Sequence, residues 1–74
     1  MIDLSGQDIR AIRLRHRYTQ GQFAHMVGVN SQTLSNWERG IRRAKPPRVV
    51  QVLAHIIDSS PVIREEVEKI VGLK

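Results

Sequence analysis

Only Gly28 and Val29 separate two helical segments in the middle of the chain, and this short link constrains the fold more than any other feature. Glycine takes the positive φ of a sharp turn without steric cost. Asn30, which follows directly, is a favourable N-cap for the next helix. A connection of this length between two helices predicts a helix-turn-helix unit spanning residues 20–39.

The residues around this link agree with the prediction. Thr19 followed by Gln22 is a capping-box pattern that starts the first helix at about Gln20, and Gly40 is a typical left-handed residue after the second helix. Apolar side chains occupy the positions expected to face inward: Phe23, Val27, Val29, Leu34 and Trp37. The second helix keeps one continuous polar face, made of Ser31, Gln32, Ser35, Asn36 and Arg39.

Three further helices are predicted around this unit. A capping-box pattern at Ser5 starts a helix at about Gly6. Pro47 suits the first position of a fourth helix, whose broad apolar face predicts that it is largely buried. A serine followed by a proline starts a fifth helix over about 61–72. Because this length allows one domain, we expect residues 1–74 to form a single all-α domain of five helices.

The charge is divided unevenly along the chain. The formal net charge is +5, and residues 1–48 carry nine basic side chains against three acidic ones, whereas residues 49–74 carry three against four. Most of the basic residues are arginine, whose planar group suits bidentate contact with phosphate and with guanine edges. The asymmetry favours a polyanionic partner; the alternative is a solvated face that confers solubility only.

The segment from Gln20 to Gly40, and above all its Trp-Glu-Arg-Gly ending, resembles the Cro/phage-repressor helix-turn-helix family, also called the XRE family. The basic run from Arg42 to Pro47 resembles the subset found in compact bacterial regulators and in antitoxins of the HigA and MqsA kind. The resemblance implies a lambda-repressor-like fold and binding of double-stranded DNA, with the third helix in the major groove.

The resemblance also implies roles for individual residues. The expected base contacts are Ser31, Gln32, Ser35 and Asn36. The expected phosphate contacts are Gln20, Arg17, Arg39, Arg42, Arg43 and Lys45. Arg13 is expected to pair with Glu38 beneath the motif. Arg17 stands where the family often has glycine, so either its turn differs in shape or its side chain reaches a phosphate.

No enzyme, metal or cofactor site is expected. His16, His25 and His55 lie in three different helical segments and form no metal-ligand spacing. There is no cysteine, and neither a glycine-rich phosphate loop nor a nucleophile elbow occurs. The N-terminus lacks the pattern of a secretory signal, no apolar stretch approaches about 20 residues, and the fifth helix is acidic. We therefore expect a cytoplasmic protein with no membrane partner.

A single motif of this size buries too little surface to hold one DNA site tightly, so we expect a homodimer on a palindromic operator. The fifth helix offers Val62, Ile63, Val67, Ile70 and Val71, expected to serve partly as core and partly as dimer interface; the alternative is core alone.

Two functions stay open. One is a transcriptional regulator, expected to be a repressor. The other is an antitoxin or adaptor whose main partner is a protein toxin, with autoregulatory DNA binding; the absence of a long disordered tail favours the first.

Overall fold

The computed structural model describes residues 2–73, which form five α-helices and no strand. The helices are α1 (Gly6–Arg15), α2 (Gln20–Val27), α3 (Ser31–Arg39), α4 (Arg48–Ser59) and α5 (Pro61–Ile70). A single turn of 3₁₀-helix, Ile41–Arg43, connects α3 to α4. The all-α, five-helix architecture predicted from the sequence is confirmed. None of these helices combines the length and the apolar composition that crossing a bilayer requires.

Local hydrogen bonds fix the ends of the first three helices. The side chains of Ser5 and Thr19 each accept the backbone N–H three residues on, and both capping boxes are complete. The Asn30 side chain accepts a backbone N–H of the first turn of α3 at 2.7 Å. Gly28 and Gly40 have φ values of 79° and 68°, in the left-handed region. The predicted starts of α1 and α2 and the predicted ends of α2 and α3 are therefore confirmed.

The core lies where the first four helices converge. Ile9, Phe23, Leu34 and Ile57 are its largest fully buried side chains, and each comes from a different helix. Burying side chains of this size contributes about 1.5–3 kcal/mol each. The indole of Trp37 lies at the edge of this cluster and is 7% exposed. The tryptophan is thus a core residue and is not available for stacking on a base.

The exposed face of α4 corrects the prediction for that helix. Val50, Ala54 and Ile57 are buried, whereas Val52 is exposed and Val49 is 77% exposed. The helix packs against α1, α2 and α5 on one side only, so the expectation that it is largely buried is wrong for the other side. The sequence shows a broad apolar face, but only the neighbouring helices decide how much of that face is covered.

Two helix boundaries also differ from the expected ones. Pro47 is the N-cap of α4, not its first helical residue, and the helix begins at Arg48. The fifth helix ends at Ile70 instead of about residue 72, because Gly72 has φ 84° and turns the chain out of the helix. These shifts are within one or two residues, the range over which helix ends commonly vary.

Polar contacts join the end of α1 to the two C-terminal helices. Asp58 of α4 accepts hydrogen bonds from Arg15 at 2.7 Å and lies 2.8 Å from Nε2 of His16. Burial acts to raise the pKa of Asp58, but the hydrogen bonds from His16 and Arg15 outweigh it, so the pKa lies below its ordinary value. Next to them, Tyr18 Oη donates to Glu68 Oε2 of α5 at 2.9 Å. These contacts hold α4 and α5 against the base of the helix-turn-helix unit.

Candidate nucleic-acid interface

The polar face of α3 points away from the core. Ser31 and Gln32 are exposed, and Ser35 and Asn36 are partly exposed. On the opposite side of the same helix, Leu34 has no exposed surface. The structure therefore brings together the four side chains that the sequence assigned to base contacts, on one accessible surface, which we call the α3 ridge.

A hydrogen bond connects the two amides of the α3 ridge. Gln32 Nε2 donates to Asn36 Oδ1 at 3.0 Å, across one helical turn. Side chains four residues apart on a helix are neighbours, and Gln–Asn pairs at this spacing stabilise a helix by about 0.2–0.5 kcal/mol. Sequence reasoning assigned both residues to DNA but did not predict that they bond to each other.

A buried ion pair supports the α3 ridge from below. Arg13 of α1 donates two parallel hydrogen bonds to the Glu38 carboxylate, at 2.8 and 2.9 Å. A further N–H of Arg13 donates to the backbone oxygen of Tyr18 at 2.9 Å. Both charged side chains are almost fully buried. The structure thus places Arg13 and Glu38 together, and the pair ties the end of α3 to α1 and to the turn before α2.

Gln20 lies closer to this pair than the sequence indicated. Its Nε2 donates to Glu38 Oε1 at 3.1 Å, so the amide points toward the carboxylate from the first residue of α2. The side chain is half-buried. The role of Gln20 as a phosphate contact remains a prediction, and the structure adds a second role as a ligand of the buried carboxylate.

Four of the arginines assigned to phosphates have exposed side chains that bind nothing else within residues 2–73. They are Arg17, Arg39, Arg42 and Arg43, and none of these side chains makes a hydrogen bond or ion pair there. Lys45 differs, because its Nζ lies 3.0 Å from Oδ1 of Asp3, and both side chains are exposed. The hydrogen bond from Lys45 lowers the pKa of Asp3. Lys45 must leave this partner, or share it, in order to reach a phosphate.

Three of these arginines have a strained backbone. Arg17, Arg42 and Arg43 have φ values of 61°, 54° and 55°, and they are the only non-glycine residues with positive φ in the described part of the chain. For a residue with a Cβ this conformation costs roughly 1–2 kcal/mol. Such strain is concentrated at functional sites in proteins. The sequence pointed to an unusual backbone conformation at Arg17, which stands where the family it resembles often has glycine. Nothing in the sequence indicated a positive φ for Arg42 or Arg43.

Arg10 is a fifth exposed arginine without a partner in residues 2–73, and sequence reasoning did not assign it to DNA. Its position on α1 relates it to the contact between α1 and α3. Gly6 and Arg13 both contact α3, at Trp37 and Glu38 respectively. Arg10 lies between them at i+4 and i−3, on the same stripe of α1. The signal in the sequence was this spacing, which has meaning only once α1 is known to cross α3.

The comparison with protein families matches the model of the helix-turn-helix family over residues 9–63. This chain belongs to that family. The matching family is the Cro/C1-type, or XRE, helix-turn-helix, so the resemblance found in the sequence is confirmed. The family supports DNA binding in transcription regulation as the general function, and its members are typically not enzymes. No curated protein and no solved structure matches the chain.

In this helix-turn-helix protein, the apolar residues of α5 and of the position after it fall into two groups, one packed against the core and one exposed to solvent. Val67 and Val71 pack against the core. Ile63 is 42% exposed, and Val62 and Ile70 are exposed by 73% and 79%. The residues that sequence reasoning assigned to a dimer interface therefore fall into an inner pair and an outer set of three.

Residues 2–73 contain no group of three histidine, cysteine or carboxylate side chains placed to hold a metal ion. Of the three histidines, His16 contacts Asp58, whereas His25 and His55 are exposed on α2 and α4. The α3 ridge supplies hydrogen-bonding groups and the exposed arginines supply positive charge, and together these are the chemistry of binding to a polyanion.

Proposed function

We propose that this protein is a transcriptional repressor that binds a palindromic operator as a homodimer and inserts α3 into the major groove. The observation that carries the proposal is the exposed polar face of α3, together with exposed arginines in α3 and in the turns after α1 and α3 whose side chains have no partner in residues 2–73. Positive side chains that no carboxylate of the protein neutralises create a potential that favours a polyanionic ligand. A regulator of this kind acts where the chromosome lies, which in a bacterium is the cytoplasm.

The geometry of B-DNA fits the proposed division of labour. Its major groove is about 12 Å wide and admits one α-helix. Side chains of the α3 ridge, Ser31, Gln32, Ser35 and Asn36, contact base edges. Arginines beside the groove bind phosphates and fix the register without reading sequence. In this proposal Arg17, Arg39, Arg42 and Arg43 take that part, with Gln20 and Lys45 at the margins.

The experiment that tests this proposal starts from a pool of random duplexes. The purified chain is used to select bound DNA, and the enriched duplex is compared with a scrambled one by fluorescence anisotropy at physiological salt. We expect binding at least about 10³-fold tighter to the enriched duplex, with two inverted half-sites about 10 base pairs apart centre to centre. Equal affinity for both duplexes, or no binding at low salt, contradicts the proposal.

The exposed set on α5 is the proposed dimer interface. Val62, Ile63 and Ile70 expose apolar surface that a second copy of the chain would cover. Two copies joined there present two recognition helices to half-sites about 34 Å apart. Sedimentation of wild type against Ile70→Glu tests this, with Val49→Glu as the matched control on the exposed face of α4. We expect only Ile70→Glu to abolish the dimer; a monomeric wild type at all concentrations contradicts it.

A second candidate function is favoured by the exposed face of α4. Val49 and Val52 lie three residues apart and leave apolar surface uncovered that the proposed dimer does not use. Under this proposal the chain is an antitoxin or adaptor whose main partner is a protein toxin, and its DNA binding is autoregulatory. The discriminating observation is a neighbouring gene for a small basic toxin whose product forms a complex with this chain. That complex should be lost in Val49→Glu.

A further inference from the structure

Gln51 is a polar residue on the buried face of α4, between Val50 and Ala54, and it is only 5% exposed. Nothing in the proposed contact with DNA uses it. Its amide bridges two irregular segments of the chain. Oε1 accepts the backbone N–H of Leu4 at 2.8 Å, and Nε2 donates to the backbone oxygen of Pro46 at 2.8 Å. Because one partner can only donate and the other can only accept, the orientation of this amide is fixed.

The loop that Gln51 reaches contains a strained turn. Arg42 and Arg43 both have positive φ. The N–H of Ala44 donates to the backbone oxygen of Ile41 at 2.9 Å and closes a turn around the two arginines. Residues other than glycine keep such a conformation only where the surrounding structure holds them in it. The side chains of Arg42 and Arg43 provide no such hold, because neither has a partner in residues 2–73.

We infer that Gln51 is the positioning residue that holds this arginine turn, residues 41–44, in place for phosphates. The inference rests on the proposed binding of DNA and adds to it the part of the core on which the turn depends. Ala44 packs against the core, but its side chain is only a methyl group. Pro46 and Pro47 follow closely and have no backbone N–H, so they cannot anchor the loop by donating hydrogen bonds. The N–H from Gln51 provides the anchor.

The N-terminal segment, residues 2–5, completes the anchor from the other side. Leu4 packs against the core while its N–H donates to Gln51. Nearer to solvent, Nζ of Lys45 lies 3.0 Å from Oδ1 of Asp3, and both side chains are exposed. An exposed pair of this kind contributes little. The buried bonds of Gln51 hold the loop more firmly, because breaking them leaves backbone groups without partners inside the protein.

The first test measures amide hydrogen exchange by NMR in the wild-type protein without DNA. If Gln51 joins the N-terminal segment to the arginine turn, the amides of Leu4 and Ala44 are exposed by the same local opening. We expect their protection factors to agree within about tenfold. A larger difference, in either direction, shows that one segment opens without the other and overturns the inference.

The second test uses Gln51→Met, which keeps the length of the side chain and removes both hydrogen bonds. Ile57→Val is the matched control, since it removes one methyl group from a fully buried position later in the same helix. Binding to a duplex of mixed sequence is followed by fluorescence anisotropy at several salt concentrations. Circular dichroism identifies a temperature at which every variant is folded.

We expect Gln51→Met to bind about fivefold more weakly and to reduce the slope of log K against log salt by about one, because the arginine turn no longer meets phosphate in one fixed geometry. Ile57→Val should leave the affinity and the slope unchanged. In the background Arg42→Ala/Arg43→Ala, Gln51→Met should have no further effect, because the groups that it positions are absent.

An unchanged slope in Gln51→Met overturns the inference, and so does an equal loss of affinity in both backgrounds, because Gln51 then acts on the fold as a whole. Failure of the proposed function looks different, since in that case Arg42→Ala/Arg43→Ala itself leaves the affinity and the slope unchanged. If Gln51→Met does not fold, hydrogen exchange at Leu4 and Ala44 in the wild type decides the question.

Discussion

At the scale of single residues, the contact between Gly6 and Trp37 shows how one absent side chain sets the distance between two helices. A Cβ added to Gly6 would lie 1.7 Å from the backbone oxygen of Trp37, far inside any allowed contact. Since the obstacle is backbone and not a flexible side chain, the alanine cannot be accommodated by a rotamer change. Glycine is needed here for close approach, while its φ is of no importance.

Gly6→Ala should therefore destabilise the protein by about 3 kcal/mol, because α1 and α3 must separate. Gly21→Ala is the matched control in α2, where the nearest neighbouring atom to the new Cβ is Oγ1 of Thr19 at 3.9 Å. Removing a helical glycine without a clash should stabilise by roughly 0.5 kcal/mol. Urea unfolding followed by circular dichroism measures both. Equal midpoints for the two variants would contradict the close approach.

Tyr18 is the single tyrosine of the chain, so the absorbance of tyrosinate reports on it alone. Burial, together with the hydrogen bond and the charge of Glu68, raises its pKa to about 12 from the model-peptide value of 10.0. The native protein should titrate near 12 and the denatured chain near 10.0. A group whose folded pKa is raised contributes its stability fully below pH 10 and loses it as the pH rises through 12. Tyr18→Phe should lack the loss of stability that ionisation of Tyr18 causes at high pH. Glu68→Gln should lower the pKa of Tyr18 in the native protein.

At the scale of the elements, the Arg13–Glu38 pair connects α1, α3 and the first residue of α2. Gln20 of α2 and Arg13 of α1 both donate to the same carboxylate of α3. Buried pairs of this kind are weak evidence of stability, since the desolvation of two charges offsets much of their attraction. Breaking one is costly all the same, because the remaining charge stays buried without a partner.

Glu38→Ala should lower the free energy of unfolding by about 3–5 kcal/mol, which is most of the stability expected of a domain this small. The double variant Arg13→Met/Glu38→Leu should recover much of that loss, because it removes both charges and fills the space. Arg15→Ala, which breaks a pair with an exposed arginine, should cost less than about 1 kcal/mol. Thermal unfolding measures the series. A loss below 1 kcal/mol in Glu38→Ala would show that the carboxylate is hydrated or neutral.

At the scale of the whole molecule, the positive charge is concentrated in residues 1–48, which contain the helix-turn-helix. The basic side chains of residues 49–73 contact the protein itself: Arg64 caps the end of α4, and Lys69 lies near Glu65 and Glu66. The unpartnered arginines belong to α1, α3 and the turns next to them. The field of the molecule should therefore orient the α3 ridge toward a polyanion before contact.

Arg42→Ala should weaken binding to every duplex alike and reduce the slope of log K against log salt by about one, because one phosphate contact is lost. Lys69→Ala removes the same charge from α5 and serves as the control, with an unchanged slope. Titrations at several salt concentrations measure both variants. A slope in Arg42→Ala equal to that of wild type would refute its role as a phosphate contact.

The sequence by itself determined the fold class, the starts of α1 and α2 and the ends of α2 and α3. Ser5, Thr19, Asn30, Gly28 and Gly40 act on backbone groups within three or four residues of themselves, so their effects can be derived without knowing the rest of the molecule. The polar face of α3 follows in the same way from helical periodicity. The sequence also determined the family, because the motif is contained within one continuous segment.

Only the tertiary structure decided which polar side chains have a partner within the protein and which have none. Lys45 finds Asp3 across 42 residues, and Gln20 turns to a carboxylate 18 residues on. The exposure of Val49 likewise depends on which helix packs where, and so does the position of Arg10 on the stripe of α1 whose Gly6 and Arg13 contact α3. Such partners come from distant parts of the chain, and a sequence pattern describes a residue's near neighbours but not the surface that meets it after folding.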